Sequence, residues 1–139
     1  MDIFEHIKKE HREVEGLLQR LTKGYDAGIF DELQLSLSAH MEAEEASLFP
    51  AMEEVDSEIV EHANEEHAEI REILKGLDGK RGSDFTSMVS KLTEVINDHV
   101  MDEEDDMFPK AKESFDQETV KELSDKFDEV DEKIMQKAR

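Results

Sequence analysis

The stretch His99-Val100-Met101-Asp102-Glu103-Glu104-Asp105-Asp106-Met107-Phe108-Pro109 sets a histidine and a glutamate four residues apart inside an apolar helical stripe of Phe85, Met88, Val89, Leu92, Val95, Ile96, His99, Glu103 and Met107. Residues i and i+4 lie about 40° apart around a helix and about 6 Å apart along it, so the imidazole and the carboxylate converge where core side chains belong. A charge buried there needs a partner, and a cation is the obvious one. The stretch has a twin, His40-Met41-Glu42-Ala43-Glu44-Glu45-Ala46-Ser47-Leu48-Phe49-Pro50, which shares the pattern His-x-x-x-Glu-Glu-x-x-[Leu/Met]-Phe-Pro at an offset of 59 residues.

Each copy is preceded by a second helix, and these two helices also match. Phe4, Ile7, Val14, Leu18 and Leu21 recur 56 residues later as Val60, Ala63, Ile70, Leu74 and Leu77, and the gap in each stripe is filled by a lone histidine, His11 or His67. The first helix runs from an Asp2 cap towards Gly24 or Gly28, the second from Asp31 and Gln34 to Pro50, the third from Asp56 and Ser57 to Gly76 and Gly79, and the fourth from about Ser83 to Phe108. Pro50 should kink or end the second helix. Two tandem hairpins with short connections predict an all-α, up-down four-helix bundle with pseudo-twofold symmetry over residues 1–110. After Pro109, Val120, Leu123, Phe127, Val130 and Ile134 make one stripe over about residues 114–137, read as an additional C-terminal helix on the outside of the bundle, without ligands. The whole of residues 1–139 is expected to be one domain.

Composition narrows the function classes. The formal charge is −21 and 40% of residues are charged, but the charges interleave with regular apolar positions, which argues against disorder. Such a surface repels phosphate backbones and anionic lipid, so neither nucleic acid nor a membrane is an expected partner. With no cysteine, thiolate metal sites, disulfides and iron–sulfur clusters are excluded, leaving His, Asp, Glu and a single Tyr as metal ligands. The N-terminus carries no basic region followed by a long apolar run, so an intracellular, cytoplasmic protein is expected.

The convergent set is His11, His40, Glu44, His67, His99 and Glu103. Imidazoles with carboxylates suit iron, manganese, cobalt or zinc, whereas calcium and magnesium prefer all-oxygen cages. Six ligands in a twofold pattern point to two metals, each with two histidines, bridged by Glu44 and Glu103. A single seam histidine is usually a hydrogen-bonded core residue. Four matched across a repeat, beside two buried glutamates, are hard to bury without a cation. His6 and His62 share the 56-residue offset but lie about 140° around the helix from the inward point, and read as surface or edge residues. Glu45, Glu104, Asp105 and Asp106 read as solvated acids, one of which could orient a ligand. Phe49 and Phe108 read as core packing at one end of the site, and Tyr25 is too far along its helix to reach it.

These residues resemble the hemerythrin-like family, the HHE cation-binding domain, over essentially residues 1–110. The resemblance rests on His11 with the leucines that follow, His40-x-x-x-Glu44-Glu45 with Phe49-Pro50, Glu66-His67, and His99-x-x-x-Glu103-Glu104 with Phe108-Pro109. It implies a non-haem di-iron centre with an oxo or hydroxo bridge, zinc or manganese being possible substitutes. Oxygen-carrying hemerythrins bring a further histidine four positions along the third helix, where this chain has Arg71, and end the fourth-helix motif in Asp at a five-residue spacing, where this chain has Glu103 at four. The chain is therefore similar to the bacterial and archaeal HHE branch. The expected function is a di-iron protein that binds, senses or reacts with a small molecule such as dioxygen, nitric oxide or peroxide. The alternatives are an iron-responsive interaction module and an iron donor for iron–sulfur cluster repair.

Overall fold

A computed structural model describes residues 1–137 as helices joined by short turns. Helix α1 spans Ile3–Leu21, α2 Ala27–Ala46, α3 Leu48–Met52, α4 Ser57–Leu77 and α5 Gly82–Asp102. A π turn over Glu103–Met107 leads into α6, Phe108–Ser114, and α7 covers Gln117–Lys137. Helices α1, α2, α4 and α5 form the bundle, each flanked by two of the others.

Aspartates set four of the helix starts. Asp2 accepts from the Glu5 N–H at 2.9 Å, Asp26 from Ile29 at 3.0 Å, Asp56 from Ile59 at 3.2 Å and Asp116 from Thr119 at 2.8 Å, each satisfying a first-turn donor. The second helix therefore begins at Ala27, earlier than the Asp31 start read from the sequence. Asp26 supplies the stronger cap, and the extra turn lets Phe30 pack edge-on against Phe85 at 5.7 Å. Gly24, at φ 137°, makes the preceding turn, a conformation a side chain would oppose.

Both prolines lie inside helices, and the break comes just before them. In the first repeat the chain leaves α-geometry at Ser47, and α3 resumes with Pro50 in its first turn. In the second, the Phe108 N–H reaches back to the Glu103 carbonyl, closing a π turn, and Pro109 sits in the first turn of α6, where its missing N–H costs nothing. The fourth helix thus passes Phe108 and runs to Ser114.

Two apolar clusters fill the bundle. One holds Leu18, Leu21, Leu33, Ile70, Leu77, Phe85 and Leu92, the other Ile3, Phe4, Ile7, Phe49, Met52, Phe108 and Phe127. The six polar residues of the seam occupy the level between them. Helix α7 packs along α2 and α1. Phe127 is fully buried, and Ser124 accepts the Ile3 N–H at 2.8 Å, satisfying another first-turn donor of α1.

Because Phe127 is the deepest anchor of α7, Phe127→Ala should cost about 3–5 kcal/mol in urea unfolding and speed amide exchange in α7 before the rest of the bundle. A loss under about 1 kcal/mol would show that α7 is only loosely applied.

Candidate metal centre

All six residues singled out in the sequence meet at mid-bundle. His11 comes from α1, His40 and Glu44 from α2, His67 from α4, His99 from α5 and Glu103 from the start of the π turn, and none is more than 4% exposed. Each glutamate stands between two histidines. Glu44 lies 3.1 Å from His40 Nε2 and 3.2 Å from His67 Nε2, while Glu103 lies 3.0 Å from His99 Nε2 and 3.2 Å from His11 Nε2. Donor atoms fall into two overlapping groups, each within 4.8 Å: His11, His40, Glu44 and Glu103, then Glu44, His67, His99 and Glu103.

The outer nitrogen of every histidine is occupied by a further carboxylate on a neighbouring helix. His11 Nδ1 meets Glu104 at 2.6 Å, His40 meets Glu10 at 2.7 Å, His67 meets Glu45 at 2.7 Å and His99 meets Glu66 at 2.8 Å. These four pairs link α1 to the π turn after α5, α5 to α4, α4 to α2 and α2 to α1, closing a ring around the bundle. With Nδ1–H donating outward, each Nε2 would turn its lone pair inward once it gives up its own proton, the tautomer a metal ligand requires.

That arrangement leaves an electrostatic demand at the centre. All four carboxyl oxygens of Glu44 and Glu103, and Nε2 of His11 and His40, are buried without a hydrogen bond. His67 and His99 bring their Nε2 atoms within 3.2 Å of each other. Lone pairs facing lone pairs and carboxylates in a dry core repel unless positive charge stands among them, and this nitrogen–oxygen donor set fits a borderline transition-metal ion. The same field acts on the titrating groups. Without a cation the positive charge comes from protons: burial opposes charge on His40 and His99, but Glu44 and Glu103 respectively outweigh it and hold both imidazoles well above their usual range, so a metal ion would take the place of those protons. Burial likewise opposes ionisation of Glu44, yet His40 holds its carboxyl well below the usual carboxylate range.

The outer carboxylates are a correction to the sequence reading. Glu45 and Glu104, read among the solvated acids of which one could orient a ligand, each hold a histidine, and Glu10 and Glu66 were not singled out as holding one. A neighbour of an inward residue points about 100° away around the helix, towards the flank of the next one. The signal was in the repeat: Glu10 and Glu66 share the 56-residue offset, Glu45 and Glu104 the 59-residue offset. Arg71 turns away from the centre and grips Glu45 with two bonds of 2.8 and 3.0 Å, and Arg12 grips Glu104. Burial would raise Glu45, but His67 and Arg71 hold it down at about 2. His6 is more than an edge residue. Its Nδ1 donates to Asp128 of α7 at 2.8 Å and its Nε2 lies 3.2 Å from Glu10, while Asp131, with Glu10, raises it to about 10. His62 is 60% exposed, as read. Tyr25 lies under the Arg81 guanidinium against Phe85, among the residues that turn α1 into α2.

Comparison with known proteins agrees with this geometry. The family model of the hemerythrin HHE cation-binding domain matches residues 2–111. The chain belongs to that family. Its fold is that of a crystal structure of a hemerythrin HHE cation-binding domain-containing protein from Mycobacterium kansasii, at a TM-score of 0.86, 21% identity, 99% coverage of this chain and 90% of that one. A curated relative described as a DNA nickase, from Nostoc sp. (strain PCC 7120), is 26% identical over 99% of this chain. The HHE chain spans 41% of that relative's length. No helix among the described residues is long and apolar enough to cross a membrane.

The outer carboxylates orient the four histidines, so Glu10→Gln should lower cation affinity about 10–100-fold while the helical content stays unchanged. Competition with a coloured chelator measures it, and wild-type affinity would show that Glu10 is incidental.

Proposed function

We propose that this HHE domain binds two iron ions, one in the group His11, His40, Glu44 and Glu103, the other in the group Glu44, His67, His99 and Glu103, and that the pair binds or reacts with a small molecule such as dioxygen, nitric oxide or peroxide. The observation that carries this reading is that the two groups share both glutamates. Two carboxylates that belong to both sets at once are suited to bridging, and two cations offset the charge that the buried acids place in the core. A bound iron pair would supply redox equivalents and open coordination positions, because each group would offer its ion four donors from the chain where iron prefers up to six.

The protein's own contribution is enclosure. Val14, Leu37, Met41, Ile70 and Ile96 wall an apolar pocket of about 10 Å³ beside His11, His40 and His99, about the least that admits one water-sized molecule. Such a space excludes a bulky organic substrate. The nickase description belongs to a protein more than twice as long; the charge of −21 here opposes a duplex lying on this domain.

Metal analysis after growth in iron-replete medium should find about two irons per chain, the number that two four-donor groups would hold. His99→Ala should lose most of that metal and His62→Ala should not; full metal content in the His99 variant would sink the assignment.

Reactivity follows from the donor count. Arg71 stands where the oxygen carriers have a further histidine, so both ions would keep open positions and onward redox chemistry would be favoured over reversible carriage. Reduced, iron-loaded protein exposed to dioxygen should therefore oxidise and stay oxidised when the gas is removed. Recovery of the starting spectrum on lowering oxygen pressure would instead point to a carrier.

A further inference from the structure

The pseudo-twofold axis relates two flanks of the bundle, and the chain treats them differently. On one flank stand His6, Glu10 and His40, and on the other their counterparts His62, Glu66 and His99. Where α2 presents Ala39 and Ala43 to the first flank, α5 carries Asp98 and Asp102 at the same 59-residue offset. Helix α7 lies on the alanines, burying both of them and Phe127, whose ring sits 4.9 Å from that of His6. A cavity of about 190 Å³ survives there, but it stops at Glu10 and touches none of the six inward residues.

The second flank is open. Asp98 and Asp102 are exposed, and between α4 and the π turn lies a cavity of about 300 Å³ walled by Ile59, His62, Ala63, Glu66, Asp102 and Glu103. It leads from exposed His62 and Asp102 to Glu103, which is 1% exposed and whose two carboxyl oxygens have no hydrogen-bond partner. His62 Nε2 lies 3.1 Å from Asp102 and 3.3 Å from Glu66, and the three offer donor atoms within 4.8 Å of one another.

We propose that this cavity is the route by which a divalent metal ion reaches the centre, with His62, Glu66 and Asp102 as a transient staging site. The route rests on the two-ion reading above. One imidazole and two carboxylates are the donor types of the centre itself, so an ion changes partners along the way without changing their chemistry. With three donors, two of them on exposed side chains, the staging site holds an ion weakly enough to release it inward, where Glu103 waits at the cavity's end. The mouth attracts cations, because Asp56, Glu58 and Asp106 line it against Lys110, and Lys110 is itself tied to Asp56 at 2.8 Å. On the opposite flank α7 fills the equivalent approach, so loading runs from one side.

The test is anaerobic stopped-flow loading of the metal-stripped full chain with cobalt(II) alone, followed by its visible absorbance, with final metal content measured separately. The His62→Gln/Asp102→Asn variant should load at least about fivefold more slowly, with less salt dependence, and reach the same final content. Lys110→Gln should load faster. Glu13→Gln, which removes one negative charge from the α7 flank, should load like the wild type. A wild-type rate in the double variant overturns the route. Should that variant lose final content, Lys110→Gln decides, and loading there that is no faster than wild type overturns the route equally. A wild-type chain that takes up no cobalt overturns the two-ion reading instead.

Discussion

Two glutamates withdrawn from water set the terms for this bundle. Glu44 and Glu103 occupy the level between two apolar clusters, where an uncompensated carboxylate costs several kcal/mol and has no solvent to relax into. Surrounding them with imidazoles is only half of an answer, because an imidazole can turn or carry its proton on the wrong nitrogen. The ring of outer carboxylates removes that freedom. Glu10, Glu45, Glu66 and Glu104 keep side-chain exposures of 11–29%, so they pull on the histidines while part of their own charge stays hydrated. Each is held in turn by a group nearer the surface: Arg71 on Glu45, Arg12 on Glu104, His6 on Glu10 and His62 on Glu66. Order in the centre is thus imposed from the wetter side, where ionisation is cheap.

The helices bend to that requirement. Both repeats leave α-geometry in the residues between Glu-Glu and Phe-Pro, at Ser47 in one and through the π turn in the other. A π turn inserts one residue, which brings Phe108 back under the centre beside Met107 and against Phe4 at 5.2 Å. The apolar lid at this end of the bundle therefore closes without moving Glu103 out of line.

Symmetry places the centre, and its breakage gives the domain an inside and an outside. A bundle of two equal hairpins would leave two equal approaches to the four histidines. Alanine at positions 39 and 43 allows a helix to lie close on α2, whereas aspartate at 98 and 102 would have to be desolvated under one, so α7 covers one flank and leaves the other to water.

The elements and their pairing were legible in the chain, because helical periodicity and a duplicated motif are local properties. His11, His40, Glu44, His67, His99 and Glu103 interrupt apolar stripes at matched places, and any antiparallel packing of those stripes brings them to one level. The outer carboxylates were less legible. Glu10 and Glu104 sit beside inward residues in a chain with 38 acids, and nothing local tells an acid that spans to the next helix from one that points at water. The π turn was invisible for a related reason: the choice between a break and an inserted residue depends on what Phe108 finds beneath it. Sequence alone determined the helices, their repeat and the six residues that face inward. Only the tertiary structure decided which carboxylate holds which histidine and which flank α7 covers, because both are settled by distances between helices that the one-dimensional pattern does not contain.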